Sequence, residues 1–217
     1  IKSAEVFDYL KHAEDYGLKI KEYDKDFNAV VNRSRNVANT MSKGVNFLMK
    51  KNKIDVIIGH GTLLPGKKVL VQSKNEEKEV SAEHIIIATG ARSRELPAIP
   101  QNGKNIIGYR KAMTLEKQPK KLVVIGSGAI GIEFAYFYNT MGTEVVIVEY
   151  LDRILPVEDE EVSKQLERSF KKSGIKIFTN AEVKKVERKN KAVNVTIKTK
   201  SNEEILSADI VLSAVGI

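Results

Sequence analysis

The sequence predicts an α/β fold in which a parallel sheet is accompanied by a β-hairpin or meander, and three observations support this prediction. From Lys120 onward, short apolar runs alternate with segments of helical periodicity, which is typical of strands joined by crossover helices. The runs 122–125 and 145–148 contain no polar residue, as expected of strands buried on both faces. Apolar and polar residues alternate over 193–197, which predicts one arm of a hairpin turning near residues 189–191.

The first half of the chain predicts two helices and three short strands. Residues 1–16 and 25–51 carry apolar side chains at helical spacing. These side chains are Val6, Tyr9, Leu10 and Ala13 in the first helix and Val30, Val37, Met41, Val45 and Leu48 in the second. The segments 54–61 and 68–72 are predicted as strands. The run "HIIIATG", residues 84–90, ends in small residues and fits a strand buried on both faces.

The second half follows a loop predicted at 95–105, where two prolines and an Asn-Gly pair cluster. Gly142 lies where the first helix of this half should end, and Val183 and Val186 belong to the other arm of the hairpin. In order, the predicted elements are strand 122–125, helix 129–141, strand 144–149, helix 159–172, strand 175–178, the hairpin and an apolar strand within 208–217.

The composition indicates a globular protein. With 42% hydrophobic and 29% charged residues, the 217-residue chain can form a substantial core. No apolar run is long enough to span a membrane and no secretion signal is recognisable, so we expect a cytoplasmic protein. The net charge of +8 comes from scattered lysines among few aromatic residues, which favours a solvated surface over a nucleic-acid-binding groove. The absence of cysteine excludes thiolate metal sites and a cysteine nucleophile within these residues.

Three glycines directly follow the predicted strand 122–125. Gly126, Gly128 and Gly131 have the spacing G-x-G-x-x-G, and apolar residues at helical spacing come next. In a Rossmann-like fold the first glycine permits a tight turn, the second lets a pyrophosphate approach the backbone, and the third lets helix and strand pack closely. The helix N-terminus adds free N–H groups and a partial positive charge. This context predicts a dinucleotide site.

The acidic residue that such a site requires is Glu149, at the end of the next predicted strand. A carboxylate at this place accepts hydrogen bonds from a ribose 2′-hydroxyl and repels a 2′-phosphate, so the sequence predicts NAD rather than NADP. A second interpretation stays open at this point, because the glycines would also serve a simple strand–helix turn in which Glu149 is only a surface residue.

Longer segments around this motif resemble the dihydrolipoamide (dihydrolipoyl) dehydrogenases, which are class I flavoprotein pyridine nucleotide-disulfide oxidoreductases. "VVIGSGAIGIEFAYFYNTMGTEVVIVEYLDRILP" is similar to their NAD domain, "HIIIATGARSRELPAIP" to their flavin domain, and "ADIVLSAVGI" to the strand that ends the NAD domain. The resemblance covers essentially the whole chain. It implies that residues 1–113 are the central segment of an incomplete FAD-binding domain, and that 114–217 are a Rossmann-like NAD-binding domain cut near its C-terminal end.

The resemblance also implies cofactor-binding residues. The NAD pyrophosphate would lie over residues 126–131 and the adenosine ribose on Glu149, while Val183 and Gly216 match positions flanking the adenine and the nicotinamide. Glu133 matches a glutamate near the flavin whose lysine partner has no counterpart here, and it is otherwise a solvated helix carboxylate. The implied NAD residues are Gly126, Ser127, Gly128, Ala129, Ile130, Gly131, Glu133, Glu149, Val183 and Gly216. On the FAD side the matching residues are Gly66, Thr89 and Gly90.

Parts of the family pattern have no counterpart in these residues. The family's first G-x-G-x-x-G and its redox-active C-x-x-x-x-C helix lie upstream of the segment that "KSAEVFDYLKHAEDYG" resembles. Its second FAD motif and its interface domain, with a His–Glu pair, would follow "AVGI". We therefore expect an internal fragment without catalytic residues or a metal site, inactive and colourless by itself. We expect His12, His60 and His84 to be surface or partly buried histidines, because none lies in the family's histidine motif.

The resemblance implies a function for the parent protein. It would reoxidise the dihydrolipoamide of a 2-oxoacid dehydrogenase complex and pass the electrons through FAD to NAD as hydride, as a homodimer without nucleic-acid or membrane partners. The alternatives are another NAD(P)H-dependent flavoprotein disulfide reductase, an NADH oxidase, or a non-catalytic dinucleotide-binding module.

Overall fold

The structure is a computed structural model that describes residues 1–97, 99–189 and 192–217. It contains two compact units, one formed by Ile1–Asn32 with Arg92–Ile217 and the other by Arg33–Ala91. The assignment of residues 1–113 to FAD and of 114–217 to NAD stays a prediction.

Helices and strands alternate through much of the chain. The helices are α1 (Lys2–Lys11), α2 (Phe27–Lys51), α3 (Tyr109–Ala112), α4 (Ala129–Thr140) and α5 (Glu160–Lys172), with a short 3-10 helix at Ala13–Tyr16. The strands are β1 (His60–Leu64), β2 (Lys68–Gln72), β3 (Glu77–Ser81), β4 (Ile106–Ile107), β5 (Lys121–Ile125), β6 (Glu144–Val148), β7 (Lys176–Phe178), β8 (Glu182–Lys189), β9 (Ala192–Lys198), β10 (Glu203–Ala208) and β11 (Ile210–Ser213).

The first unit is built on a five-stranded parallel sheet with the strand order β4-β11-β5-β6-β7. Helix α4 connects β5 to β6 and helix α5 connects β6 to β7, which is the strand–helix–strand alternation that the sequence predicts. In the register of the two central strands, Leu122 pairs with Val145 and Ile125 with Val148. The predicted α/β class with a parallel sheet is confirmed.

Each face of this sheet is covered by a different layer. Leu122 and Val124 point into a core shared with α4 and α5, whereas Val123 and Ile125 point into a core shared with strand β9. All four side chains are buried. Because successive side chains of a strand point to opposite faces, burial on both faces explains why β5 has an unbroken apolar sequence.

The layer opposite the helices is an antiparallel meander of β8, β9 and β10. Val183 lies opposite Ile197 and Val186 opposite Val195, so the predicted hairpin arms are confirmed. The predicted turn near 189–191 falls on residues 190 and 191, which lie outside the described residues. Strand β10 was not predicted, because two adjacent glutamates followed by two adjacent apolar residues lack the alternation that marks β9.

Residues 1–32 attach to the C-terminal end of α4. Lys11 donates a hydrogen bond from Nζ to the carbonyl oxygen of Thr140 at 2.5 Å, and Lys25 donates to the carbonyl oxygen of Met141. The ring of Phe27 packs against those of Phe137 and Tyr138 of α4. The predicted single helix over 1–16 is instead α1 followed by the 3-10 helix.

The second unit holds most of α2 and an antiparallel sheet, β1-β2-β3. Helix α2 and strand β2 lie close to their predicted positions. However, no residue of α2 is buried, and the predicted apolar face is open, with Met41 69% exposed. None of the helices in the described part of the chain combines the length and apolarity needed to cross a membrane.

Two strand predictions in this unit are wrong. Residues 54–59 have no strand, and β1 begins only at His60. Residues 84–90 also form no strand, and Ile86 is 90% exposed rather than buried. The physical reason is that a strand requires a neighbouring strand for its backbone N–H and C=O groups. None of the described strands pairs with either segment.

Candidate functional site

The glycine turn, residues 126–131, follows β5, and the fold itself requires two of its three glycines. Gly126 has a φ of +92°, and a Cβ added to it would lie 2.5 Å from the carbonyl oxygen of Ala214. A Cβ added to Gly131 would overlap the carbonyl oxygen of Gly126. The first glycine therefore permits a tight turn next to β11, and the third allows α4 to pack directly on that turn.

Gly128 is different, because nothing in the described chain requires a glycine there. Its φ of −66° and ψ of 179° are accessible to any residue. Apart from Gly128 and its two chain neighbours, no described residue has an atom within 4 Å of a Cβ added at this position. The space that a side chain would fill is open, and a ligand approaching the backbone would account for it.

Helix α4 begins directly at this open space. Gly128 is its N-cap and provides no side-chain hydrogen bond to the first turn, which also contains no acidic residue. The first N–H groups of a helix have no acceptor within the helix, and the helix dipole makes this end partly positive. The turn thus presents backbone donors that can bind an anion such as a pyrophosphate.

Glu149 lies immediately after β6 and bonds to the glycine turn. Its side-chain Oε2 accepts hydrogen bonds from the backbone N–H of Ser127 at 2.8 Å and from the Ser127 hydroxyl at 2.6 Å. Its Oε1 accepts from the backbone N–H of Leu151 at 2.9 Å. Glu149 is only 7% exposed, so the interpretation as a plain surface residue is wrong.

The remaining NAD residues predicted on α4 have different surroundings. Ala129 and Glu133 are exposed, and Ile130 is half-buried against the core beneath the helix. The exposure of Glu133 agrees with the solvated carboxylate that its helical position suggests. Its predicted place near a flavin stays a prediction.

Two predicted residues follow other strands of the first unit. Val183 is half-buried in β8 and packs against the core between the meander and the sheet. Gly216 comes after β11, has a φ of +104°, and accepts a hydrogen bond from the backbone N–H of Arg94 at 2.9 Å. Direct hydrogen bonds join the glycine turn to Glu149, whereas no hydrogen bond among the described residues joins Val183 or Gly216 to the turn or to Glu149.

The three residues predicted on the FAD side belong to the second unit. Gly66 lies in the turn between β1 and β2 with a φ of +78°, and Gly90 has a φ of +75° in a segment without helix or strand. Both glycines and Thr89 are exposed. Their assignment to FAD stays a prediction.

No other cluster with obvious chemistry lies in the described residues. His12, His60 and His84 are exposed, as expected. No group of three or more His, Cys, Asp or Glu side chains within the described ranges could hold a metal ion.

Two contacts, one at this site and one at the opposite end of α4, were not predicted. One is the hydrogen bond from the Ser127 hydroxyl to Glu149. The only feature of the sequence that could have indicated it is a small polar residue between two glycines of the motif. The other is the attachment of Lys11 and Lys25 to the last carbonyls of α4. It links residues far apart in the chain, so no local pattern could have indicated it.

Comparison with known proteins identifies the family. A family model described as pyridine nucleotide-disulphide oxidoreductase matches residues 5–217. The chain belongs to this family. The match covers the glycine turn, Glu149 and nearly all of both compact units of the chain, and it confirms the resemblance inferred from the sequence.

Similar oxidoreductases include proteins named dihydrolipoyl dehydrogenase. The one from Rhizobium etli is 44% identical over 234 residues, covering 100% of this chain and 49% of that protein. The one from Zymomonas mobilis is 48% identical over 182 residues, covering 83% of this chain and 39% of that protein. The chain thus spans about half or less of the length of these relatives.

Two solved structures show the same fold. LpdA from Mycobacterium tuberculosis has a TM-score of 0.89 at 26% identity, with 99% of this chain and 47% of that chain covered. The HOCl-induced flavoprotein disulfide reductase RclA from Escherichia coli has a TM-score of 0.74 at 26% identity, with 88% of this chain and 43% of that chain covered.

Proposed function

We propose that this chain binds NAD, with the pyrophosphate over the glycine turn and the adenosine ribose on Glu149. The observation that carries the proposal is the open space at Gly128, which the fold leaves unexplained and which a closely approaching phosphate would fill. The N-terminus of α4 lies at this space, so its backbone N–H groups would face the negative charge.

The pyrophosphate would be held mainly by backbone groups of the turn. The residues from Gly126 to Gly131, including Ser127, Ala129 and Ile130, offer little side-chain bulk that would block its approach. Gly126 and Gly131 shape the turn, and Gly128 leaves it accessible. Backbone donors at a helix N-terminus do not have to be rearranged when the anion arrives, which favours tight binding.

Glu149 supports NAD over NADP as the preferred nucleotide. Its carboxylate carries a negative charge at the edge of the turn and still has acceptor capacity on Oε1. A ribose 2′-hydroxyl can donate a hydrogen bond there. A 2′-phosphate would bring a second negative charge close to a carboxylate that is only 7% exposed, where charge repulsion is weakly screened.

The other predicted residues complete this proposal. Val183 would flank the adenine, Gly216 would flank the nicotinamide, and Glu133 would lie near a flavin. Gly66 with Thr89–Gly90 would lie along FAD in the second unit. The name of the family includes a pyridine nucleotide, and RclA is named a flavoprotein, which supports NAD and FAD as the two cofactors.

We further propose that the chain is part of an NAD-dependent dihydrolipoyl dehydrogenase. The names of its relatives support this assignment. Its substrate would then be the dihydrolipoamide of a 2-oxoacid dehydrogenase complex, and the parent protein would be a cytoplasmic homodimer. The flavin and the nicotinamide supply the redox chemistry, and the protein positions them. These 217 residues contain no cysteine, so they provide no sulfur for exchange with a dithiol.

A second candidate is another flavoprotein disulfide reductase. RclA matches the fold with a TM-score of 0.74, and such an enzyme would use the same nucleotide site with a different electron donor. The nucleotide proposal is common to both candidates. The two candidates can be distinguished by assaying the parent protein for reduction of NAD by dihydrolipoamide and for reduction of other disulfides.

The nucleotide proposal can be tested by calorimetric titration of the chain with NADH and NADPH. We expect detectable binding of NADH and far weaker binding of NADPH. Glu149→Ala should weaken NADH binding by about tenfold or more, because a hydrogen bond to a charged group typically contributes about 1.5–3 kcal/mol. Glu144→Ala is the matched control, because Glu144 begins the same strand and forms ion pairs with Lys121 and Lys176 on the surface. Equal affinities of the unmodified chain for NADH and NADPH would contradict the assignment of Glu149.

A further inference from the structure

We infer that Ser127 is a positioning residue for nucleotide selection, whose hydroxyl holds the Glu149 carboxylate in the orientation that recognises the ribose. The inference rests on the proposed NAD function. It assigns to the Ser127 side chain a role that operates through Glu149 rather than through contact with the nucleotide.

The contact between these side chains is short and buried. The Ser127 hydroxyl donates to Oε2 of Glu149 at 2.6 Å, and the backbone N–H of the same serine donates to the same oxygen at 2.8 Å. Ser127 has no exposed surface, and Glu149 is 7% exposed. Each carboxylate oxygen has about two acceptor positions, so these two donors occupy Oε2 completely.

The other carboxylate oxygen remains partly available. Among the residues that the structure describes, Oε1 accepts one hydrogen bond, donated by the backbone N–H of Leu151 at 2.9 Å. One acceptor position on Oε1 is therefore left for a donor outside the chain, and a ribose hydroxyl is such a donor. The three internal bonds fix which oxygen recognises the nucleotide.

A serine does more at this position than the backbone alone could do. Any residue except proline at 127 would supply the N–H donor, and the serine hydroxyl adds the second one. With alanine there, Oε2 would lose one of its two donors inside a buried site, where an incompletely paired charge is costly. The carboxylate would then turn toward other donors, and its alignment with the ribose would be lost.

The loop after Glu149 is tied to the same serine. The carbonyl oxygen of Ser127 accepts a hydrogen bond from the backbone N–H of Leu155 at 3.0 Å. This bond uses the main chain, so it should survive replacement of the serine side chain. Ser127→Ala therefore removes only the hydroxyl group. The backbone hydrogen bond between the turn and the loop remains.

The test measures Kd values for NADH and NADPH by calorimetry with the unmodified chain, Ser127→Ala, Glu149→Ala and the double variant. We expect Ser127→Ala to weaken NADH binding by about tenfold, as expected for one hydrogen bond to a charged group. NADPH binding should change less, so the selectivity for NADH should fall. In the Glu149→Ala background, Ser127→Ala should change the selectivity by less than about twofold, because independent effects would add and coupled ones do not.

Ser163→Ala is the matched control. Ser163 is also buried, and its hydroxyl donates to the carbonyl oxygen of Leu155 at 3.0 Å, but it does not bond to Glu149. Its removal should leave nucleotide selectivity unchanged, even if the thermal midpoint falls.

The possible failures can be told apart. If Ser127→Ala kept the NADH affinity and selectivity of the unmodified chain, the inference would be overturned while the proposed function would stand. The same conclusion would follow if the substitution had an equal effect with and without Glu149. Absence of NADH binding by the unmodified, folded chain would overturn the proposed function and the inference with it.

Discussion

The three glycines of the turn occupy very different surroundings, although they belong to one motif. Side chains at Gly126 and Gly131 would collide with backbone carbonyl groups, whereas Gly128 borders open space. Substitution at the first or third glycine therefore tests the fold, and substitution at Gly128 tests the ligand.

Gly128→Val should abolish NAD binding while the chain stays folded. Its two methyl groups would occupy the space through which a pyrophosphate must approach, and the backbone conformation at Gly128 accepts a valine. Calorimetry with NADH and far-ultraviolet circular dichroism measure the two effects separately. Gly44→Val in α2 is the control, because Gly44 also borders open space and should leave binding unchanged. If NADH still bound to Gly128→Val, the glycines would serve only the turn.

Tyr138 is a buried titratable residue in α4 next to the core. It has no exposed surface, and its hydroxyl donates a hydrogen bond to the carbonyl oxygen of Ala112 at 2.7 Å. Burial raises the pKa of this hydroxyl above its ordinary value of 10.0, because the phenolate would be desolvated. The folded state therefore keeps the proton at a pH where the unfolded state has lost it.

This shift gives a pH-dependent prediction for Tyr138→Phe. Near pH 7 the variant should have a free energy of unfolding lower by about 1 kcal/mol, because one hydrogen bond is lost. Above pH 10 the tyrosine should lower the stability of the unmodified chain by about 1.4 kcal/mol per pH unit, because only the unfolded state ionises. The difference between the two proteins should shrink and then reverse. Urea unfolding between pH 7 and 11 measures it, with Tyr150→Phe at an exposed position as the control. A constant difference would contradict the pKa shift.

Helix α5 shows how much of one element is encoded locally. Asp159 is its N-cap, and its side chain accepts hydrogen bonds from the backbone N–H groups of Glu161 at 2.8 Å and Val162 at 3.3 Å. Acidic residues follow in the first turn and lysines in the last, which favours the helix dipole at both ends. The start of this helix is thus determined within a few residues of chain.

Asp159→Ala should lower the free energy of unfolding by about 1 kcal/mol, the usual contribution of an N-cap side chain. Chemical denaturation with circular dichroism measures this loss. Asp152→Ala is the control, because Asp152 is exposed and makes only a 3.9 Å ion pair with Arg153. Equal stabilities of the Asp159→Ala variant and the unmodified chain would contradict the capping role.

Elements with strong local signals were predicted well, and elements that depend on distant partners were not. The bounds of α4, α5, β5 and β6 differ from the predicted ones by a residue or so, because periodicity, caps and glycines mark them. The run 84–90 has the same apolar character as β5 but forms no strand. An apolar run of this kind can form a buried strand where neighbouring strands pair with it. The sequence of the run does not show whether such neighbours are present.

At the scale of the whole molecule, burial is unevenly distributed. The two large clusters of buried side chains lie on the two faces of the parallel sheet, in the first unit. The second unit exposes apolar residues on α2 and at Ile85–Ile87. Since buried apolar area supplies most of the free energy of folding, local stability should differ strongly between the units.

Hydrogen–deuterium exchange followed by mass spectrometry should show this difference. We expect the backbone amides of β5, β6 and β11 to exchange more slowly than those of 84–90 by about three orders of magnitude, given the several kcal/mol that protect core strands. Self-association through Ile85–Ile87 is also expected at high protein concentration. Comparable protection of 84–90 and β5 in a dilute monomeric sample would contradict the uneven distribution of stability.

The sequence predicted which backbone segments form the candidate site, but it did not predict the hydrogen bonds between their side chains. Glycine spacing after a strand, followed by an acid about 20 residues later, sufficed to place the turn and Glu149 next to each other. The spacing could not show that Glu149 is buried, nor that Ser127 supplies a donor to it. Those facts depend on side-chain orientation in the folded chain, which a linear pattern does not contain.

The hydrogen bonds that attach residues 1–32 to the end of α4 depend on the coding sequence on one side only. Both acceptors, at Thr140 and Met141, are backbone carbonyl groups, while both donors are the side chains of Lys11 and Lys25. Every amino acid has a backbone carbonyl group, so the acceptor of the Lys11 hydrogen bond remains after any substitution at position 140. The lysine codons have no such freedom, because few side chains combine this reach with a positive charge. Descendants of this gene should therefore lose the attachment through changes at these two lysine codons rather than within the helix that receives them.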